Sequence, residues 1–362
     1  MESKSGAPET ARLRREAGFP AIVNVEVFRG ACPCACRHCP VGLTERRDRA
    51  ARFGLRGIDL GLYAKIVREV ASQAAMVRIH SVGDPVLWPN LPAALELGRR
   101  HGVRSWIFTS AVTRDRELLK SICSRVDVVE VSVNSIESQD YLRTKGVDAY
   151  ALVAANLRFM SQVRRPRQTR LIVSRTQTAD QAADQAFIHH WNDTGLVDDA
   201  FVRSYHTYND LLEPRGREEA ATRHQPCLVH WARFNISVDG YAVVCFNELF
   251  RKRLDPRLIL GDVNRQSIVA IWQGEPLKSL RRAELSGDYA NLPFGEALPC
   301  RECLSCQPLG GGRPTSECQL ERLAPPEMPA LGEGGESEAC PTHPREFEEG
   351  TWGGEGPVCR DR

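Results

Sequence analysis

Three cysteines at C-x3-C-x2-C, namely Cys32, Cys36 and Cys39, constrain this chain more than any other feature. They fall in one short loop, Gly30-Ala-Cys32-Pro-Cys34-Ala-Cys36-Arg-His38-Cys39-Pro40, directly after an apolar run at 22–28 and a glycine. Three thiolates from one loop hold three corners of a cubane iron–sulfur cluster and leave the fourth iron without a protein ligand. An iron left open in this way binds a small molecule. Zinc is the competing reading, because Cys34 offers a fourth thiol and structural zinc takes four ligands. The chain has thirteen cysteines and no apolar signal segment at its start, so metal ligation is expected ahead of disulfides.

The spacing resembles the signature of the radical S-adenosylmethionine (radical SAM) enzymes. In that family the open iron chelates the amino and carboxylate groups of SAM, and an electron from the cluster cleaves SAM to a 5′-deoxyadenosyl radical. The resemblance therefore implies two cofactors, a SAM-binding 4Fe-4S cluster and SAM itself. His38 stands where the family usually carries an aromatic residue that packs on adenine. Cys34 is read as a bystander.

The rest of the first half suits such a site. Short β-rich runs at 22–28, 76–81, 104–109, 126–133, 169–174 and 200–204 alternate with helical periodicity. Leu62, Ile66 and Val70 recur at helical spacing with Asp59 placed as a cap, and Val153, Leu157 and Met160 repeat the pattern. Six such units imply a parallel sheet. Alternation within the strands decides its form. In 129–134 one face is Val129, Val131 and Val133, and the other is Glu130, Ser132 and Asn134. Arg78 with His80, and Asn24 with Glu26, repeat this. A face so polar fits a wide, incomplete barrel better than a sheet covered on both sides. The resemblance implies the same α/β architecture, a (βα)6 partial TIM barrel.

Further cofactor-binding positions follow from the resemblance. Gly83-Asp84-Pro85, after the second strand, is similar to the family's Gly-Gly-Glu-Pro turn, which holds the amino group of SAM. Ser110 occupies the place of a Thr-Asn-Gly segment. Ser132 and Asn134 end the fourth strand, Arg143 resembles the arginine of an Arg-Gly segment, and Arg175 ends the fifth strand.

After Tyr205 the pattern changes. A charged, aperiodic linker at 208–224 leads to Cys227, a run at 233–238, Asp239-Gly240, a run at 241–244 and Cys245. Asp-Gly between alternating runs is a hairpin signal. This half resembles the SPASM, or shorter twitch, extension of radical SAM enzymes, a small cysteine-rich hairpin and helix domain expected at 225–320. The resemblance implies one auxiliary 4Fe-4S cluster on Cys227, Cys245, Cys300 and Cys303, with Cys303 and Cys306 as the alternative pair; zinc on the same thiols competes. Residues 1–20 are expected as a flexible tail, 21–207 as the barrel, and 321–362, rich in Pro, Gly and Glu, as a disordered tail. Cys318, Cys340 and Cys359 have no assigned role.

The expected reaction is that of a radical SAM oxidoreductase. The deoxyadenosyl radical takes hydrogen from substrate carbon, a base accepts a proton, and the auxiliary cluster accepts an electron. His80 and Glu130, on the polar face, are the candidate bases. The substrate is a small molecule or a peptide, and the short segment before the first strand tilts the expectation toward a small molecule. A peptide maturase that installs a cross-link is the alternative, and a non-catalytic zinc-stabilised binding module is the contrasting class. A reducing partner such as flavodoxin or ferredoxin is implied. A net charge of +2, from 48 basic and 46 acidic residues, gives no steering toward nucleic acid or membrane, and a cytoplasmic location is expected.

Overall fold

A computed structural model describes residues 18–73, 75–209, 211–213 and 226–303. Most of the expected N-terminal tail at 1–20, most of the linker at 208–224, Cys306, Cys318, Cys340, Cys359 and the tail at 321–362 lie outside the described residues. The strands are β1 (Ile22–Arg29), β2 (Arg56–Gly57), β3 (Met76–Val82), β4 (Arg104–Thr109), β5 (Val128–Ser132), β6 (Arg170–Thr176), β7 (Asp199–Arg203), β8 (Arg233–Ile236), β9 (Tyr241–Val243) and β10 (Ile259–Asp262). The longer helices are α1 (Leu60–Ala71), α2 (Leu91–Arg100), α3 (Arg116–Arg125), α4 (Ser138–Lys145), α5 (Tyr150–Val163), α6 (Gln181–Asp193) and α7 (Glu275–Ser286). Local chemistry sets several helix starts. Asp59, Asp115 and Asp180 each accept a backbone N–H of the first turn, from Leu62, Leu118 and Ala183.

Strands β1, β3, β4, β5, β6 and β7 lie side by side in that order, all parallel, with helices returning the chain between them. This is the partial barrel. Among the described residues the sheet stays open, with no pairing between β7 and β10. Val23, Val25, Ile79, Ile107, Val129, Val131, Leu171 and Val173 turn outward into the main apolar core beneath the helices.

The inner face departs from the sequence expectation. It is not polar throughout. Ile22, Met76, Trp106, Val128, Ile172 and Phe201 form a separate apolar cluster at its lower end. Each stands two residues before a polar or aromatic neighbour on the same face. Asn24, Arg78, Phe108, Glu130, Ser174 and Arg203 make the next level up. The barrel is therefore plugged at one end, where side chains fill its width, and polar only toward the carboxyl ends of its strands.

The cysteine-rich half continues this sheet. Strand β8 pairs parallel with β1, from Ile22↔Arg233 to Val25↔Ile236, and β9 and β10 follow antiparallel. Gly240, at φ +89°, makes the Asp-Gly turn that joins β8 to β9. Asn24 Nδ2 donates to Asn235 Oδ1 at 2.8 Å, and Arg56 forks onto Asp239 at 2.8 and 2.5 Å.

The plug generates a direct expectation. Trp106 is fully buried, so Trp106→Ala should cost about 3–5 kcal/mol of stability, measured by denaturant unfolding under anaerobic conditions.

Candidate functional site

The cysteine loop leaves the carboxyl end of β1 and is tied down from three sides. The β3 end holds it through Gly30 N→Val82 O at 2.9 Å and Asp84 N→Ala31 O at 3.0 Å. The end of α4 holds it through Ala35 N→Lys145 O at 2.7 Å and Arg37 N→Thr144 O at 3.2 Å. The third anchor is Arg49, 2% exposed, which donates to the carbonyls of Cys32 and Cys34 at 2.8 Å each and of Thr44 at 3.0 Å. Sequence reasoning passed over Arg49, because nothing local separates it from the exposed Arg46 and Arg47 nearby. Two glycines are required by close approach: a Cβ at Gly83, whose φ is +149°, would stand 2.0 Å from Ala31 O, and one at Gly42 would stand 2.1 Å from Cys36 O.

The thiols of the loop share one environment. Cys34 is 1% and Cys36 9% exposed, and Cys32 and Cys39 are half-buried. The Cys34 thiol meets those of Cys32 and Cys36 and the Ser110 hydroxyl, so it faces inward with its neighbours. His38 is half-buried beside Cys39.

The strand ends around this loop are closely braced. Both carboxylate oxygens of Asp84 are fully engaged. Oδ1 accepts from Thr109 Oγ1 at 2.7 Å and Val86 N at 3.2 Å; Oδ2 accepts from Ser110 N at 2.8 Å and from the Ser110 hydroxyl. Four acceptor positions are thus filled, and Asp84 fastens the end of β3 to the end of β4. Pro85 is buried at the start of the turn that follows. Asn134, at φ +64°, donates to Ser132 Oγ at 2.7 Å and accepts from Thr176 N at 2.6 Å, which ties the ends of β5 and β6.

Four expectations are corrected. Arg143 is 68% exposed and pairs with Asp140 at 3.1 Å, because its position on α4 faces solvent. Two residues on, Lys145 is 2% exposed, and its ammonium donates to Ser132 O at 2.7 Å and Ser132 Oγ at 3.2 Å, close to the Cys34 and Cys36 thiols. Lys145 is thus a buried cation beside these thiols. Arg175 is committed to structure: it pairs with Asp184 at 2.7 Å and Asp140 at 3.3 Å and donates to Asn134 O. Glu130 is clamped by Arg203 at 2.5 and 2.8 Å, with Arg78 at 3.7 Å. Burial would raise its carboxyl, but the two guanidiniums outweigh burial and hold it below the usual carboxylate range, which disqualifies it as a base near neutrality. Burial, with Arg78 and Arg203 nearby, depresses His80 to about 3, so its ring is a poor proton acceptor.

A second group of thiols gathers beyond β8. Cys227 precedes a short helix at Leu228–Ala232, Cys245 follows β9, and Cys300 and Cys303 lie on and after the turn at Pro299–Glu302. Burial pushes the Cys300 thiol up, and Cys303, Cys245 and Cys227 add to this as close neighbours. The four cysteines that the sequence singled out thus lie within electrostatic reach of one another. Among the described residues no three Cys, His, Asp or Glu side chains converge on a single-ion site. Ligands of a cubane sit on separate irons and need not converge on one point.

Residues 227–307 match the SPASM family, described as an iron–sulfur cluster-binding domain. Among solved structures, the chain is similar to Streptococcus suis SuiB bound to the precursor peptide SuiA, at 13% identity and a TM-score of 0.58, covering 75% of this chain and 69% of that one. It is also similar to anSMEcpe with bound AdoMet (SAM), at 11% identity and a TM-score of 0.56, covering 79% and 94%. The SPASM match falls on residues 227–307, and the likeness to these structures is one of fold. A third similar structure is anSMEcpe with AdoMet and the Cp18Cys peptide, at 10% identity and a TM-score of 0.54, covering 78% and 93%. Comparison with curated proteins finds no match.

The SPASM domain closes on the barrel through aromatic side chains. Phe246, next to Cys245, lies 6.2 Å from His80 and 5.6 Å from His206, and Phe250 lies 6.1 Å from His80 and 4.6 Å from Tyr208. Cys32 and Cys39 pack against the same apolar cluster. At this seam sits a residue that the sequence placed on the inner face without a role. Glu26 is fully buried; its Oε2 accepts from Val238 N at 2.9 Å and lies 3.6 Å from Arg29, while its Oε1 has no partner. Its Cα pairs with that of His80, whose Nδ1 is also without a partner. Orphaned buried polar atoms on adjacent strands mark a place for a polar ligand or water.

Burial raises Glu26 from 4.5 to about 7, against the opposing pull of Arg29. A carboxyl raised by folding contributes stability below its unfolded value and loses it as pH climbs through the folded value. Stability should therefore fall by about 2–3 kcal/mol from pH 5 to pH 8 on this account. Glu26→Gln removes that dependence, so thermal unfolding of the variant should gain on the parent at pH 8 and not at pH 5.

Proposed function

We propose that this chain is a radical SAM enzyme that oxidises a carbon–hydrogen bond of its substrate, with a peptide as the favoured substrate. The observation that carries the reading is the pair of cysteine groups on one continuous sheet. Three thiols at C-x3-C-x2-C stand at the end of β1 and four stand beyond β8, its paired neighbour. The donor set fits 4Fe-4S clusters: soft thiols at both groups.

A 4Fe-4S cluster at the first loop, with SAM bound, would supply one-electron reductive cleavage of SAM. Cys32, Cys36 and Cys39 hold that cluster. The turn at Gly83 brings backbone close to the loop, and Lys145, with one hydrogen beyond its two bonds to Ser132, offers charge to the carboxylate of SAM. Glu26 accepts the proton that leaves the substrate, since it is the seam carboxyl whose proton affinity suits neutral pH. Cys227, Cys245, Cys300 and Cys303 would hold a second cluster able to accept an electron, with the Phe246 and Phe250 rings packed against the barrel beside it. A flavodoxin or ferredoxin supplies the reducing electron. The substrate assignment is supported by SuiB and anSMEcpe, which were each solved with a peptide. A small molecule is the second reading, favoured by the unpartnered Glu26 Oε1 and His80 Nδ1 on paired strands.

Anaerobic protein given dithionite and SAM should release 5′-deoxyadenosine, and Cys36→Ala should abolish the release. Candidate peptides and small molecules carrying deuterium then identify the substrate as the one whose label moves into deoxyadenosine. Absence of deoxyadenosine from iron-replete protein would end this reading. Equilibrium dialysis checks the cation. Lys145→Met should weaken SAM binding about tenfold or more, the order expected for a lost charge-assisted hydrogen bond, whereas Arg143→Ala should leave it unchanged.

A further inference from the structure

Cys300 has an unusual neighbour. His230 Nε2 lies 3.8 Å from its sulfur, and on the other side of the ring Nδ1 lies 2.6 Å from Glu284 Oε1. Both side chains are 2% exposed. Glu284 comes from α7, 54 residues further along the chain, and it also accepts from Trp231 Nε1 at 2.7 Å and from Cys227 N at 3.2 Å. The pair is locked from behind. Arg281, on the same helix, donates its Nε to His230 O at 2.9 Å and stacks its guanidinium on Trp272 at 4.0 Å. One carboxylate thus orients an imidazole toward one candidate ligand and steadies the backbone of another.

The hydrogen-bond inventory fixes what this ring does when the four thiols hold a cluster. A cysteine bound to iron has lost its hydrogen, so its sulfur can only accept. Glu284 already accepts from an indole and an amide. With Nδ1 held at the carboxylate and Nε2 aimed at the sulfur, the ring's bond to a thiolate is one that it donates. Hydrogen bonds to cluster sulfurs and nearby net charge are among the levers that set a cluster's reduction potential. A hydrogen bond donated to the sulfur favours the reduced, more negative state.

We propose that His230, held by Glu284, donates an N–H···S hydrogen bond to Cys300 and tunes the auxiliary cluster to accept the substrate electron. The inference rests on reading the four SPASM cysteines as iron–sulfur ligands. The balance is simple. The substrate radical gives up one electron and one proton, the cluster gains the electron, the base gains the proton, and the ring keeps the hydrogen that it donates. No bond at His230 breaks. His230 is thus a positioning residue for electron transfer.

The test uses the full-length chain with Cys32, Cys36 and Cys39 changed to alanine, so that the SPASM cluster alone is observed. Its reduction potential is measured by electron paramagnetic resonance of poised samples, beside iron, sulfide and zinc counts. His230→Leu should make reduction about tenfold less favourable, which is about 59 mV downward for one electron. Glu284→Gln should shift it in the same direction by less, and His230→Gln, which keeps a donor that Glu284 no longer orients as an imidazole, should fall between His230→Leu and the parent. Should His230→Leu fail to keep its iron, Glu284→Gln and His230→Gln carry the test. An unchanged potential in iron-replete variants overturns the proposal. Zinc without iron in the parent overturns the cluster reading itself, and this inference with it.

Discussion

Strand β1 is hydrogen-bonded along both edges, to β3 on one side and to β8 on the other, and the site depends on that double pairing. A strand paired on both sides cannot slip by one residue without turning its whole inner face outward. Its register therefore fixes three things together: the exit of the cysteine loop, the inward aim of Glu26 toward Val238, and the seat of the SPASM hairpin. Had the SPASM region docked through side chains alone, the two cysteine groups would be free to shift against each other. As part of one sheet they are held as rigidly as neighbouring strands.

Buried charge is concentrated where the strands end, and it is handled in two ways. Glu130 lies between Arg78 and Arg203, with the guanidiniums also over Phe108 at 5.8 and 6.0 Å. Such a closed set resists protonation and serves to hold strands; removing one member would leave an uncompensated buried charge, at a cost of several kcal/mol. Glu26 and Lys145 are left partly open instead. One has an oxygen without a partner, and the other has a hydrogen beyond the two given to Ser132.

Much of this was legible in sequence. The cysteine spacing, the six alternating runs and the Asp-Gly turn each depend on a few adjacent residues, and each appears in the structure as an element of the expected kind. The failures share a cause. Glu26 and Glu130 occupy equivalent alternating positions, and only partners on distant strands, Val238 for one and Arg203 for the other, distinguish an open carboxyl from a clamped one. Arg143 looked suitable by analogy with a motif, but the turn of α4 sends it outward and Lys145 inward. The apolar plug escaped notice because Ile22, Met76 and Val128 are ordinary strand residues until the barrel brings them together. Glu284 and His230 are remote in sequence, and no local pattern announces their contact.

The central claim is that one sheet holds two different iron–sulfur clusters, the first with an iron that the protein leaves vacant. Mössbauer spectroscopy of the anaerobically reconstituted protein tests it most directly. The account predicts two 4Fe-4S clusters per chain, with a single iron site of one cluster changing its signal when SAM is added and the other cluster unaffected. One cluster alone, zinc in place of iron, or two clusters indifferent to SAM would contradict it.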